Sequence, residues 1–308
     1  MTQAAGFGYA LIATFLLGFY MVPRQYTHIS QRAFLIWMGI GVLVSGTLIG
    51  LVTEGIPRIS LLQYVLVFAA GLVWSVGALG YAASVEYLGF SRATPIKNIY
   101  GAFSTVFGIV IFHEFTTQQP AALSLAVLGS LAVVVSASLL GRVEAPRSMS
   151  CPRTDSRCIL IGAAFGVLSA LGYGLRSIPT KIVLGQGVSA EAFLFYMAQG
   201  AFVGNVIAAM AFPGATNGAP AATSRDRILA ALSGVTWTVA SEFMNLGVIG
   251  VGIAITFPMM NLSTLIAVGY GLLVLRDVDY RSHKGWFWSG LALSVIGAGL
   301  LAGALALR

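Results

Sequence analysis

The sequence predicts an all-α integral membrane protein of ten transmembrane helices, arranged as two inverted five-helix repeats. Three observations lead there. Of 308 residues, 57% are hydrophobic and only 9% charged, against roughly 25% charged in a soluble domain. With a mean hydropathy of +0.88, such a chain cannot clothe itself for water, so its solvent is lipid. Apolar runs of about 20 residues, the length that crosses the hydrocarbon core, recur from end to end. Finally, the second half of the sequence aligns with the first.

The runs begin near Gly6, Phe34, Leu61, Ala93 and Ala121, and again near Ile159, Ala190, Ile228, Ile253 and Gly285. Most connectors are short and polar, such as PRQYTHISQR and EGIPRIS. Two are longer: 141–157, with four arginines, and 213–227, rich in Gly, Pro and Thr. The stretches between the third and fourth spans (SVEYLGFSR) and between the eighth and ninth (LGVIGVG) are barely polar. The expected organisation is a first repeat over 1–140, a basic connector at 141–157 and a second repeat over 158–308. The N-terminus, MTQAAGFGYA, lacks a basic leader, so the first run reads as a retained span rather than a cleaved signal.

The net charge of +7 is no nucleic-acid signal, because the basic residues sit in connectors, where they set topology. One side collects Arg24, Arg32, Arg92, the four arginines of 141–157, Arg225, Arg227, Arg276, Arg281 and Lys284. The other holds only Arg58, Lys181 and Arg308. The positive-inside rule then puts both termini outside, in a cell membrane of bacterial type.

Catalytic and metal chemistry are not expected. No nucleophile elbow, phosphate loop or zinc-binding His pair occurs, and His28, His113 and His283 fall in or beside connectors. Cys151 and Cys158, in SCPRTDSRC, have the spacing of a small disulfide loop or half a metal site. Without nearby histidines neither role is expected. No cofactor is implied.

The internal repeat carries the most information. A shift of 163 residues sets Trp74 on Trp237, Gly89 on Gly252, Pro95 on Pro258, Asn98 on Asn261, Gly108 on Gly271 and Glu114 on Asp277, without gaps. A shift of 159 matches Phe34, Met38 and Gly41 with Phe193, Met197 and Gly200, and a shift of 156 matches Gly18 and Pro23 with Gly174 and Pro179. Composition bias aligns Leu with Val, but not Trp, Pro, Asn and Gly together. Five spans per unit is odd, so successive copies enter the membrane in opposite directions. Such inverted units imply alternating access to one central site.

Polar groups at membrane depth are costly unless partnered or facing a cavity, and they supply the candidates. Glu242 lies in the eighth span with Asn245 three residues on, on the same helical face. Lys97 and Asn98 follow Pro95, with Tyr100 just beyond, and Asn261 follows Pro258. Proline frees carbonyls one turn back, and an amide one turn on shares their face. Pro95 and Pro258 therefore read as helix kinks with an inward polar notch. Arg176 lies in the sixth span near Pro179.

Each has a plainer reading. The asparagines could join helices, Trp74 and Trp237 could stack on substrate or could be packing residues or interface anchors near helix starts, and Lys97 or Arg176 could snorkel to the boundary. Glu114 and Asp277, at matched span ends, read as local structure. Lys97 and Glu242 lack charged repeat mates, facing Met260 and Leu79. They are expected to share a cavity, paired with each other or with substrate, and Glu242 is the candidate for coupling to protons.

The segments GLVWSVGALGYAASVEYLGFSRATPIKN and GVTWTVASEFMNLGVIGVGIAITFPMMNL resemble the glucose/ribose porter branch of the drug/metabolite transporter superfamily, with its EamA-like ten-helix fold. The shared signals are Gly71-x-x-Trp74 and Gly234-x-x-Trp237, Gly89 with Pro95, Gly252 with Pro258, and the acidic residues closing those spans. The resemblance implies proton-linked uptake of a monosaccharide, with a small-molecule substrate, a co-transported proton and membrane lipid as partners. It departs at Ala78 and Gly80, where bacterial sugar members tend to carry amides, and at the charges of Lys97 and Glu242. A lysine suits an anionic or zwitterionic solute as well as a sugar. Uptake or export of an amino acid, ureide or nucleoside-type solute is the alternative. A receptor or scaffold would need an extramembrane domain, and no connector is long enough for one. Ten spans can enclose a cavity in a monomer, and Gly-rich outer faces also suit a homodimer.

Overall fold

A computed structural model describes residues 2–88, 90–115, 119–140, 156–211, 222–275 and 283–307, and every regular element among them is helical. Each of the ten expected runs forms helix. The first three are α1 (Gln3–Phe19), α2 (Gln31–Glu54) and α3 (Leu61–Leu88). The fourth is split into α4 (Phe90–Lys97) and α5 (Tyr100–Val110), and α6 (Pro120–Leu140) follows. Then come α7 (Ser156–Gly185), α8 (Ala190–Ala211) and α9 (Ser224–Val251). The ninth run is split into α10 (Ile253–Met260) and α11 (Ser263–Tyr270), and α12 (Lys284–Ala306) is last. Cys151, Asp277, Gly89 and several of the connector arginines lie outside the described residues, and so do the expectations attached to them. Cys158 is described and is disulfide-bonded, which corrects the expectation of no disulfide.

Eight of these helical stretches are long and apolar enough to cross a membrane, and α5 adds a shorter one. α9 has the length, 28 residues, but carries Glu242, Asn245 and several hydroxyls. Large apolar side chains such as Phe15, Leu160 and Leu273 point outward, which in lipid costs nothing. The chain is an all-α, multi-pass integral membrane protein.

Helix ends follow local chemistry. At α9 the Thr223 hydroxyl accepts from the Asp226 amide (3.2 Å), and the Asp226 carboxylate accepts from the Thr223 amide (3.1 Å), closing a capping box. Ser30 caps α2 through the Ala33 amide (3.2 Å). Only Gly252, at φ 85°, separates α9 from α10. That left-handed geometry suits glycine, and it explains why no polar connector marked the boundary.

The start of α10 has no side-chain cap of its own. Glu114, beyond α5, supplies one. Its carboxylate accepts from the amides of Ile253 (2.9 Å) and Ala254 (2.8 Å), and Lys181 Nζ of α7 lies 2.7 Å away. A Cβ on Gly252 would fall 2.6 Å from that carboxylate, so space as well as backbone geometry demands glycine there.

Both splits fall just after the Pro-x-x-Asn motifs. Past Pro95 the ladder tightens, with Ile99 N–H to Ile96 O (3.2 Å) and Gly101 N–H to Asn98 O (3.1 Å). Past Pro258 it does the same, with Asn261 N–H to Pro258 O, Leu262 N–H to Met259 O and Thr264 N–H to Asn261 O, each 3.0 Å. Three-residue bonds of this kind mark a tightened, 3-10-like turn one turn after each proline. The two broken helices pack on each other as α5 on α10. Asn98 bridges them, donating to the Asn261 carbonyl (3.2 Å) and to the Thr264 hydroxyl.

Around them α1 packs on α9, α3 on α7, α2 on α8 and α6 on α12, while α2 crosses α9 and α3 crosses α8. Glycine permits both crossings. A Cβ on Gly41 or Gly234 would come within 2.1 Å of the carbonyl oxygen of Ala231 or Met38. At the other crossing, one on Gly71 or Gly200 would come within 2.3 or 2.1 Å of the carbonyl oxygens of Met197 and Phe68. Small residues let backbones approach where lipid gives no hydrophobic drive to association.

Candidate functional site

One turn beyond these glycines, Trp74 and Trp237 meet at the centre of the molecule. Their ring centroids are 4.0 Å apart at 39°, and both are buried. The expectation that they lie near helix starts is corrected: α3 begins at Leu61 and α9 at Ser224, so each indole sits in mid-helix. Trp74 Nε1 has no hydrogen-bond partner.

The indoles wall a small central cavity. α1 contributes Leu17 and Tyr20 beside it, and α7 contributes Tyr173 and Arg176, one turn apart. Lys97 and Tyr100 come from either side of the first break. α9 adds Ser241 and Met244, and α10 adds Phe257 and Met260.

Lys97 does not snorkel. It is 3% exposed, at the C-terminal end of α4, where the helix dipole favours a cation. Its ammonium lies 5.0 Å from the ring centre of Tyr81, 5.4 Å from Tyr100, 5.9 Å from Tyr20 and 6.0 Å from Tyr173. Aromatic faces attract a cation at such distances. Tyr20 and Tyr173 also bring their hydroxyls to 3.4 Å, and Tyr100 packs edge-on against Tyr173 and Phe257.

Arg176 is equally enclosed, 4% exposed. Its guanidinium carbon is 5.2 Å from the Trp237 ring centre, and Nη1 reaches only the Met244 sulfur (3.7 Å). Nε and Nη2 are buried without partners. Neither cation reaches the outer surface of the protein.

Glu242 is not brought to this cavity. Trp237, Ser241 and Met244 share the inward face of α9, at helical spacing. Glu242, one residue past Ser241, is turned by about 100° from it. The expected pairing with Lys97 is absent. Both carboxylate oxygens of Glu242 are buried without hydrogen-bond partners, and the charged groups facing it are Glu191 and Glu54. Asn245 lies between the directions of Ser241 and Glu242 around the helix and is buried with its amide unsatisfied. Asn98 and Asn261 lie behind the cavity at the junction of the broken helices, and the Asn261 amide packs against Gly101.

Sequence reasoning thus reached Trp74, Trp237, Lys97, Tyr100 and Arg176, and missed Tyr20, Tyr81, Tyr173, Ser241 and Met244. The repeat registers held the signal. The shift of 156 that pairs Pro23 with Pro179 also pairs Leu17 with Tyr173 and Tyr20 with Arg176. The shift of 163 pairs Tyr81 with Met244.

Residues 9–304 match the family model described as Sugar transport protein. The chain belongs to the sugar transport family. This is the sugar uptake branch of the drug/metabolite transporters that the two hairpins resemble. The chain is 23% identical over 267 residues, 86% of each chain, to a protein named for sugar uptake in Streptococcus pyogenes serotype M6. It is 25% identical over 223 residues, 72% of each chain, to the glucose uptake protein GlcU of Bacillus subtilis. One solved crystal structure aligns with a TM-score of 0.68 at 12% identity, over 97% of both chains, and speaks for the fold alone.

Proposed function

We propose that this sugar transport family member takes up a monosaccharide as a secondary active transporter, by alternating access around the Trp74–Trp237 cavity. The carrying observation is that cavity itself: it is buried at mid-helix depth, walled by aromatic faces and edged by polar donors. A sugar ring has an apolar C–H face that stacks on an indole, and a rim of hydroxyls that need hydrogen bonds. The names of the relatives, sugar uptake and glucose uptake, support the same substrate.

The packing supports two five-helix units, 1–140 and 158–308, as the moving parts. Exchanging each helix for its repeat mate turns the α3–α7 contact into α9–α1, and the α3–α8 crossing into α9–α2, all of which occur. The cavity lies where the units meet, and two broken helices flank it, as at many transporter sites. In the conformation described here the two indoles touch, so a sugar between them requires α3 and α9 to part.

The co-transported ion is a proton, and Glu242 carries it. Supporting this is a carboxylate kept at membrane depth with no fixed partner, where acids are retained for function. In proteoliposomes, an inward proton gradient should drive accumulation of labelled monosaccharide by the wild type. Glu242→Gln should abolish that accumulation while preserving exchange. Full gradient-driven accumulation by the variant would remove the coupling role, and no uptake of any monosaccharide by the wild type would remove the transport reading.

A further inference from the structure

Among the cavity-lining residues the only formal charges are those of Lys97 and Arg176, and both are positive. No carboxylate lines the cavity, neither cation makes an ion pair with a described residue, and Glu242 faces elsewhere. Isolated charges away from water are retained only against a strong penalty unless something completes them. The tyrosine rings around Lys97 relieve part of it. Arg176 has less relief, with one indole face and one weak sulfur acceptor.

The unpartnered atoms of Arg176 are Nε and Nη2. These form one edge of the guanidinium, whose two parallel N–H bonds fit a planar oxyanion. The neighbouring unsatisfied groups, Trp74 Nε1–H and the Ser241 hydroxyl, add one obligatory donor and one hydroxyl that can donate. The cavity therefore has a surplus of donors and of positive charge, and its natural complement is rich in acceptors and negative. The two cations are also where the repeat is broken: their mates are Met260 and Tyr20. Symmetry of the fold does not require them.

We infer that the substrate is a monosaccharide bearing an oxyanion, held by the Nε/Nη2 edge of Arg176 and by the Lys97 ammonium, with its ring against the indoles. The inference rests on the sugar-uptake reading and narrows its substrate class. A sugar carboxylate and a sugar phosphate share this chemistry, and the test separates them.

Counterflow into proteoliposomes would be measured with labelled D-glucuronate and labelled D-glucose, each against unlabelled glucose, glucuronate, gluconate and glucose 6-phosphate. The wild type should prefer at least one anionic sugar over glucose by about tenfold or more, the size of a lost charge-assisted hydrogen bond. Superior competition by glucuronate and gluconate identifies a carboxylate, and by glucose 6-phosphate a phosphate. Arg176→Gln and Lys97→Met should each erase that preference and leave exchange of glucose less affected. The wild-type comparison needs no variant to fold. Glucose exchange with no advantage for any anionic sugar overturns this inference and leaves sugar uptake standing. Exchange of none of these sugars overturns both.

Discussion

At Glu114 a single carboxylate holds three donors: the amides of Ile253 and Ala254 and the Lys181 ammonium. Its side chain is 3% exposed and that of Lys181 25%, so the contact is largely shielded from water. Glu114→Gln keeps one acceptor oxygen and loses the charge. The expected cost is about 1–3 kcal/mol, seen as a lower thermal unfolding midpoint of the purified protein; an unchanged midpoint would contradict the capping role. Glu114 was legible as local structure because it closes a span, but which helix it caps was not, since Gly252 is distant in sequence. The site shows the same division. Trp74, Lys97 and Arg176 stood out as costly residue types inside apolar runs. Glu242 stood out equally, and polarity said nothing of its direction around α9. One residue of offset carries it away from the face of Trp237 and Ser241. The tyrosines were hidden because an aromatic residue in a span needs no explanation until a cation is found among its rings.

Among the elements, the broken helices and the glycine crossings decide where the cavity lies. The Pro-x-x-Asn spacing announced each kink, and the structure adds that the helix stops and restarts there, so that Lys97 ends one segment and Tyr100 begins the next. The α9/α10 boundary was poorly marked because glycine, rather than a polar loop, makes the turn. Trp74 and Trp237 each lie 13 residues past the starts of α3 and α9, at Leu61 and Ser224, and so in mid-helix rather than at the expected helix starts. The crossings set their separation. Gly234→Ala drives a methyl group into the Met38 carbonyl and should destabilise by about 1–3 kcal/mol. Gly8→Ala, with no atom within 4 Å of the added carbon, should be neutral or slightly stabilising. Thermal unfolding of both variants checks the pair, and equal midpoints would contradict the close-crossing account.

At the scale of the whole molecule, lipid as solvent explains the composition, the apolar exterior and the placing of polar groups inside. The ten helical runs were readable from length and hydropathy, while the packing of one unit on the other came only with the structure. The proposed inverted pair makes the cavity a meeting point: each unit supplies an indole, the first supplies Lys97 and the second Arg176. The most direct test of this account is counterflow of labelled glucose and glucuronate, in parallel, by the wild type and by the Trp74→Ala/Trp237→Ala double variant. The account predicts exchange of monosaccharide by the wild type and a loss of about tenfold or more in the folded double variant. Exchange at the wild-type rate without either indole, or no exchange of any monosaccharide by the wild type, would contradict it.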